Sequence, residues 1–280
     1  MCDRKDWRGR TARFVAAWRD ARKAAAASQM RQRLERSIAA GDAGPFPSGR
    51  YSYGKGTSSQ LLIGAAGECM EIISDYGTPR VFWFGQISDF SGGQLSIDAR
   101  ITTGLMDERN INFVLATIGG RDVFIDRGSL MEISNDVRGD GKIYSRLFQR
   151  FPGGTSAPTQ ATPADVQLPP AFAHYLPERP LGARIEAIEI SKLGFISCTR
   201  QGHDLLIRLS SDQMSELLPG MILWACAPPA FDVRLLMVGP HEIIGVTQIC
   251  EDGVAEGRVP CIGMEFCTLG PELCAARCAR

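Results

Sequence analysis

The sequence predicts an all-β protein of two barrel-like domains preceded by a basic α-helix, and three observations carry that expectation. Residues 4–39 are rich in Arg, Lys and Ala, with neither Pro nor a Gly after Gly9, a composition that favours helix. From about Gln60 to Ile143, and again beyond residue 180, short apolar runs alternate with Gly-rich turns and show no helical period, the pattern of antiparallel barrels and sandwiches. Between these stretches, residues 152–180 hold seven of the sixteen prolines, which marks a linker or long loop. The expected domains are a basic helical extension (1–45), an N-terminal β-barrel (50–143), and a second β-barrel (144–280) that carries the Pro-rich loop 152–180.

The helix comes first. Phe14 and Trp18 are four apart, as are Met30, Leu34 and Ile38, so a narrow apolar stripe runs along it. Residues 1–40 carry eleven Lys/Arg against four Asp/Glu, a net charge of +7, while the remaining 240 carry −7. Two readings follow. The segment docks on an acidic partner or makes peripheral contact with an anionic membrane through residues 4–39, or it packs Trp18 and Leu34 on its own protein. The second is favoured. Gly41 to Gly49, with Pro45 and Pro47, ends the helix.

Strands follow. Leu95, Ile97, Ala99 and Ile101 alternate with Ser96, Asp98 and Arg100, which places one set in a core and the other in solvent. Val81–Phe84, Ile111–Ile118 and Val123–Ile125 are further runs, separated by Ser91-Gly92-Gly93, Gly119-Gly120 and Gly139-Asp140-Gly141. After the Pro-rich loop, strands are expected at 185–190, 195–198, 205–209, 221–226, 233–238, 243–250 and 261–266. A helical turn is expected in 211–218 and a short closing helix from Pro271.

Composition bounds the chemistry. At 44% hydrophobic and 22% charged residues in 280, the chain can bury a sizeable core. No run reaches the ~18 apolar residues of a membrane span, and the basic start lacks the apolar region of a signal peptide, so a cytoplasmic location is expected. Nine scattered cysteines, mostly in apolar runs, read as reduced core thiols. Cys274 and Cys278 share a helix face, but no His or Cys-x-x-Cys accompanies them and no metal is expected. The histidines at 174, 203 and 241 form no ligand pattern. Gly49 to Thr57 approaches a phosphate-binding loop, but Gly56 stands where Ser or Thr would hold magnesium. An enzyme is not expected. Nucleic-acid binding is disfavoured too, because the basic residues are confined to one terminal helix.

Two short patterns point to a ligand. Arg146-Leu147-Phe148-Gln149-Arg150 precedes the Pro-rich loop, and Glu189-Ile190-Ser191-Lys192-Leu193-Gly194 lies between apolar runs beyond it. Together they resemble the R-x-x-x-R and [D/N]-x-S-x-x-G signature of PilZ domains, small β-barrels that bind cyclic di-GMP. Glu189 stands where that family has Asp or Asn, and 38 residues separate Arg150 from Glu189. The similarity extends over residues 182–267, through Leu218-Pro219-Gly220-Met221 and Ile262-Gly263-Met264-Glu265-Phe266. The order of parts resembles flagellar-brake-type proteins, in which a β-barrel precedes the PilZ barrel.

The resemblance implies that Arg146 and Arg150 meet the phosphates and guanine faces of cyclic di-GMP. It implies that Glu189 and Ser191 contact ligand or order the adjoining loop, and that Gly194 admits close backbone approach. The chemistry agrees, since a guanidinium forks onto phosphate and stacks on flat bases. The implied function is a cyclic di-GMP receptor that alters its contacts with motility machinery (flagellar among others), secretion machinery or surface-attachment machinery. A PilZ-like interaction module that needs no ligand, and an adaptor docking through helix 4–39, stand as alternatives. Asp89-Phe90-Ser91 echoes the second motif but lacks an upstream R-x-x-x-R, and reads as a turn.

Overall fold

The computed structural model describes residues 4–41, 43–53, 58–75, 78–102, 108–143, 147–150, 159–196, 201–250 and 259–271. Contacts divide the chain into two compact units, residues 1–127 with 146–157, and residues 128–145 with 158–280. Both are built on antiparallel sheets, so the protein is all-β with barrel-like domains and an N-terminal helix, as the sequence predicts.

In the first unit, α1 (Arg4–Ala40) leads into β1 (Gly49–Tyr53), β2 (Ser58–Ile63), β3 (Glu68–Asp75), β4 (Thr78–Ser91), β5 (Gln94–Ile101), β6 (Glu108–Ile118) and β7 (Arg121–Asp126). The strands run as an antiparallel meander, each pairing with the next in sequence. Gly92 and Gly93 (φ 56° and 79°) join β4 to β5, and Gly119 and Gly120 (φ 56° and 77°) join β6 to β7, left-handed conformations that hairpin turns require and glycine adopts without strain. The outer strands do not remain edges. β7 pairs with both β6 and β9 (Leu147–Arg150), and β9 pairs with β1, so the sheet closes on itself.

Alternation sorts the side chains. Leu61, Ile63, Cys69, Trp83, Leu95, Ile97, Phe113, Phe124 and Phe148 fill the interior. Their neighbours Leu62, Met70, Ile72 and Phe84 form a second apolar face that α1 covers with Ala27 and Leu34, flanked by Met30 and Ile38. Leu34 is 1% exposed and Trp18 is 54% exposed. The helix therefore packs on its own protein through its later half, and Trp18 does not share in that packing. Arg22 sits instead over the Trp18 ring, 4.7 Å from its centroid, a cation–π contact.

The second unit begins with an element that the strand-like texture of 60–143 hides. Residues Leu130–Gly139 form a helix, α2, with Leu130, Ile133, Ser134, Val137 and Arg138 among its buried residues. Beyond it, β8 (Lys142–Ile143) pairs with β10 (Thr159–Gln160), and β11 (Val166–Gln167) follows within the Pro-rich stretch. Then come β12 (Gly182–Ile196), β13 (Gln201–Ser210), β14 (Ile222–Ala225), β15 (Asp232–Val238), β16 (Ile243–Cys250) and β17 (Glu265–Cys267). These form a closed barrel in the order β12-β13-β16-β15-β14-β17, with β17 pairing back onto β12. Leu205, Ile207, Leu209, Leu223, Val233, Leu235, Ile243 and Phe266 meet at its centre.

Asn135 ties α2 to this barrel. Its side-chain amide donates to the Gly220 carbonyl at 2.9 Å, and its Oδ1 accepts from the Ile222 amide at 3.0 Å. The helix end fits tightly, since a Cβ on Gly270 would lie 2.0 Å from the Gly139 carbonyl oxygen. The expected helical turn near Ser211–Leu218 is a 3-10 turn at Met214–Glu216. The closing helix beyond Pro271, with Cys274 and Cys278, lies outside the described residues.

Candidate functional site

The two expected strands at 185–190 and 195–198 are one long strand, β12, and the Glu189–Gly194 motif is an irregularity within it. Ile190 pairs with Leu205, but the next pair is Gly194 with His203. Four steps along β12 thus face two along β13. Such a bulge interrupts the ladder and re-aims the side chains around it, a common device beside binding sites. Ser191 and Gly194 belong to this bulged backbone; their side-chain environment lies outside the described part.

Around the bulge the barrel's outer face is polar. On β13, Leu205, Ile207 and Leu209 point into the core, so Asp204, Leu206 and Arg208 point out. Glu189 pairs with Leu206 and is exposed. Its Oε1 lies 4.0 Å from Nη2 of Arg208, whose Nε is 3.2 Å from Oε1 of Glu242. In water these contacts contribute roughly 0–1 kcal/mol; their effect is orientation, because Arg208 engages both carboxylates.

Asp204 is the β13 residue between the two register pairs that bracket the bulge. Its Oδ1 is buried and, among the described residues, has no hydrogen-bond partner. A buried carboxylate oxygen without a donor is costly, so this atom marks a place where an N–H donor would be favourable. Neither Asp204 nor Arg208 stands out in the sequence. The available signal is the period-two pattern of 204–209, which assigns both to the outward face.

The other half of the predicted site comprises Arg146 and Arg150. Arg146 lies outside the described residues. Arg150 ends β9 in the first unit, where its backbone pairs with Tyr51; its side chain lies outside the described part. Glu189, Ser191 and Gly194 belong to the second unit. Asp89 and Ser91 close the β4–β5 hairpin, where the Ser91 hydroxyl donates to Asp89 Oδ2 at 2.6 Å, as a turn reading requires.

Not all of the described thiols are core residues. Cys69 is buried, whereas Cys226 and Cys261 are exposed. Among the described residues, no helix is long and apolar enough to cross a membrane.

No family model matches the chain. No curated protein matches it. Among solved structures, one described as the crystal structure of MucB in complex with MucA(peri) aligns over 75% of this chain and 90% of that one. The identity is 12% and the TM-score 0.14, and at that score the alignment carries no argument about fold or function.

Proposed function

We propose that this protein is a cyclic di-GMP receptor, not an enzyme, whose second barrel presents the bulge at Glu189–Gly194 to a guanine of the ligand. The observation that carries the reading is the buried Oδ1 of Asp204 opposite that bulge, which has no hydrogen-bond partner among the described residues. The pairing edge of guanine offers two adjacent N–H donors, N1–H and N2–H, and a carboxylate is their complement. Arg146 and Arg150 supply the guanidiniums for phosphate and base faces. Ligand binding changes the domain arrangement and hence contacts with a protein partner, for which flagellar or secretion machinery is proposed; this requires ligand affinity to differ between arrangements.

Calorimetric titration tests the reading. Saturable heat is expected with the parent protein, and its loss in Arg146→Ala/Arg150→Ala. Absence of heat at micromolar protein, or undiminished affinity in that variant, overturns it.

A second reading is favoured by the Glu189–Arg208 contact. The extra methylene of Glu lets its carboxylate engage a neighbour on the same barrel, which suits a PilZ-like interaction module that needs no ligand. Gain of cyclic di-GMP binding in Glu189→Asp, where the parent has none, supports this alternative. An adaptor role for the basic helix draws on the exposure of Trp18 beside Arg22; liposome sedimentation with and without residues 1–40 decides whether it docks on membranes.

A further inference from the structure

The second unit contains a cavity of about 630 Å³, lined by Val166, Leu168, Leu176, Pro177, Leu269 and the guanidinium-bearing Arg138, among others. That size suits a small molecule. The unusual feature is Arg138, a cation only 1% exposed. It occupies the buried face of α2, where period and packing call for an aliphatic residue. Its Nε donates to the Ser134 carbonyl at 3.1 Å and its Nη2 to Asn135 Oδ1 at 3.2 Å, while Nη1 is buried with no partner among the described residues.

Both acceptors are neutral, and among the described residues Arg138 makes no ion pair. Burial lowers its pKa to about 10, with a smaller opposing contribution from nearby Cys267, so the group stays cationic at neutral pH. A buried positive charge without a counter-charge is unfavourable and is normally matched by an anion.

We propose that this cavity binds a small organic monoanion, a carboxylate carrying an apolar chain, with Arg138 as the partner of its charge. The aliphatic walls take the chain. A rotation about the outer torsions of Arg138 presents Nη1 to the carboxylate. Thr268, which is fully buried, also lines the cavity; its Oγ1 accepts from the Leu181 amide at 3.0 Å, and its O–H proton is a second donor. A single charge is favoured over a phosphate dianion for two reasons. Arg138 neutralises one charge, and the other cation on the lining, Arg179, is already paired with Glu216. Glu178, exposed on the same lining, repels a second negative charge. The proposal involves neither the bulge nor cyclic di-GMP, and stands or falls separately from them.

The test uses the full chain with octanoate and, as its uncharged counterpart, 1-octanol, read by thermal shift and calorimetry. Octanoate is expected to raise Tm saturably and to bind at least about tenfold more tightly than 1-octanol. Arg138→Met is expected to remove that preference. Because Arg138 is a core residue, Ala173→Trp provides a second variant: Ala173 is exposed and lines the cavity, so the indole fills the space while Arg138 stays in place, and octanoate binding should be lost. Equal binding of octanoate and 1-octanol, no saturable response to octanoate, or undiminished binding in Ala173→Trp overturns the proposal.

Discussion

Cys69 and Cys261 show how surroundings divide one chemical group into different behaviours. Cys69 faces the interior of the first barrel, where burial, with a smaller contribution from the Glu68 charge, pushes its thiol far up. The thiolate is the reactive form, so Cys69 is expected to resist alkylation at pH 8 in the native protein. Cys261 is exposed and should be labelled rapidly. Mass spectrometry after a short iodoacetamide pulse checks this; native labelling of Cys69 as fast as Cys261 would refute it. Asp165 moves the other way. The Thr162 hydroxyl and backbone amide both donate to its carboxylate, at 2.7 and 2.8 Å, and hold its pKa below the ordinary value. A depressed carboxylate pKa means that this capping box is intact above the ordinary carboxylate range and is lost as pH falls through the folded value. Thr162→Val should raise the Asp165 pKa, read by NMR titration of its carboxyl carbon. None of these environments is written in the residue itself. Arg138 is the clearest case, since its burial appears only once α2 is known to be a helix and its inward face is known.

Elements were legible where periodicity was clean and long. Strand β5 reads directly from Leu95, Ile97, Ala99 and Ile101, because alternation is enforced by a core on one side. Helix α2 was not legible: it spans ten residues, carries Asn135 and ends at Gly139, and its buried positions include Ser134, Asn135 and Arg138, which break the apolar stripe. The bulge was hidden for a different reason. Ser191, Lys192 and Gly194 look like a break between strands, yet the backbone continues through them as one strand.

Two substitutions test packing at this scale. A Cβ on Gly245 in β16 would lie 2.4 Å from Val233 Cγ1, so Gly245→Ala should cost about 1–3 kcal/mol in urea unfolding. Val233→Ala in the same chain should recover part of it, and strict additivity would argue against a local clash. Leu34→Ala removes the most buried contact of α1 with the first barrel and should cost about 2–4 kcal/mol. Protease cleavage within residues 17–40 should accelerate accordingly; unchanged cleavage would show that the helix is held by other contacts.

At the scale of the molecule, each unit has its own closed sheet and its own core, the two-barrel fold class that the spacing of strands and turns anticipates. The ligand claim rests on a much smaller area, the bulge of β12 and the carboxylate facing it. The R-x-x-x-R pattern and the Glu-x-Ser-x-x-Gly pattern were visible in the sequence because their residue types are distinctive. Asp204 was not, because an acidic residue on an outward strand position is ordinary until its Oδ1 is found buried without a donor. Titration with cyclic di-GMP and, in parallel, cyclic di-AMP tests this most directly. The two share a phosphate ring and differ in the edge their bases present, and Asp204 complements only the paired N–H donors of guanine. Saturable heat with cyclic di-GMP, absent with cyclic di-AMP and weakened about tenfold or more in Asp204→Asn, is the expected result. No binding of cyclic di-GMP, or equal binding of both dinucleotides, would contradict it.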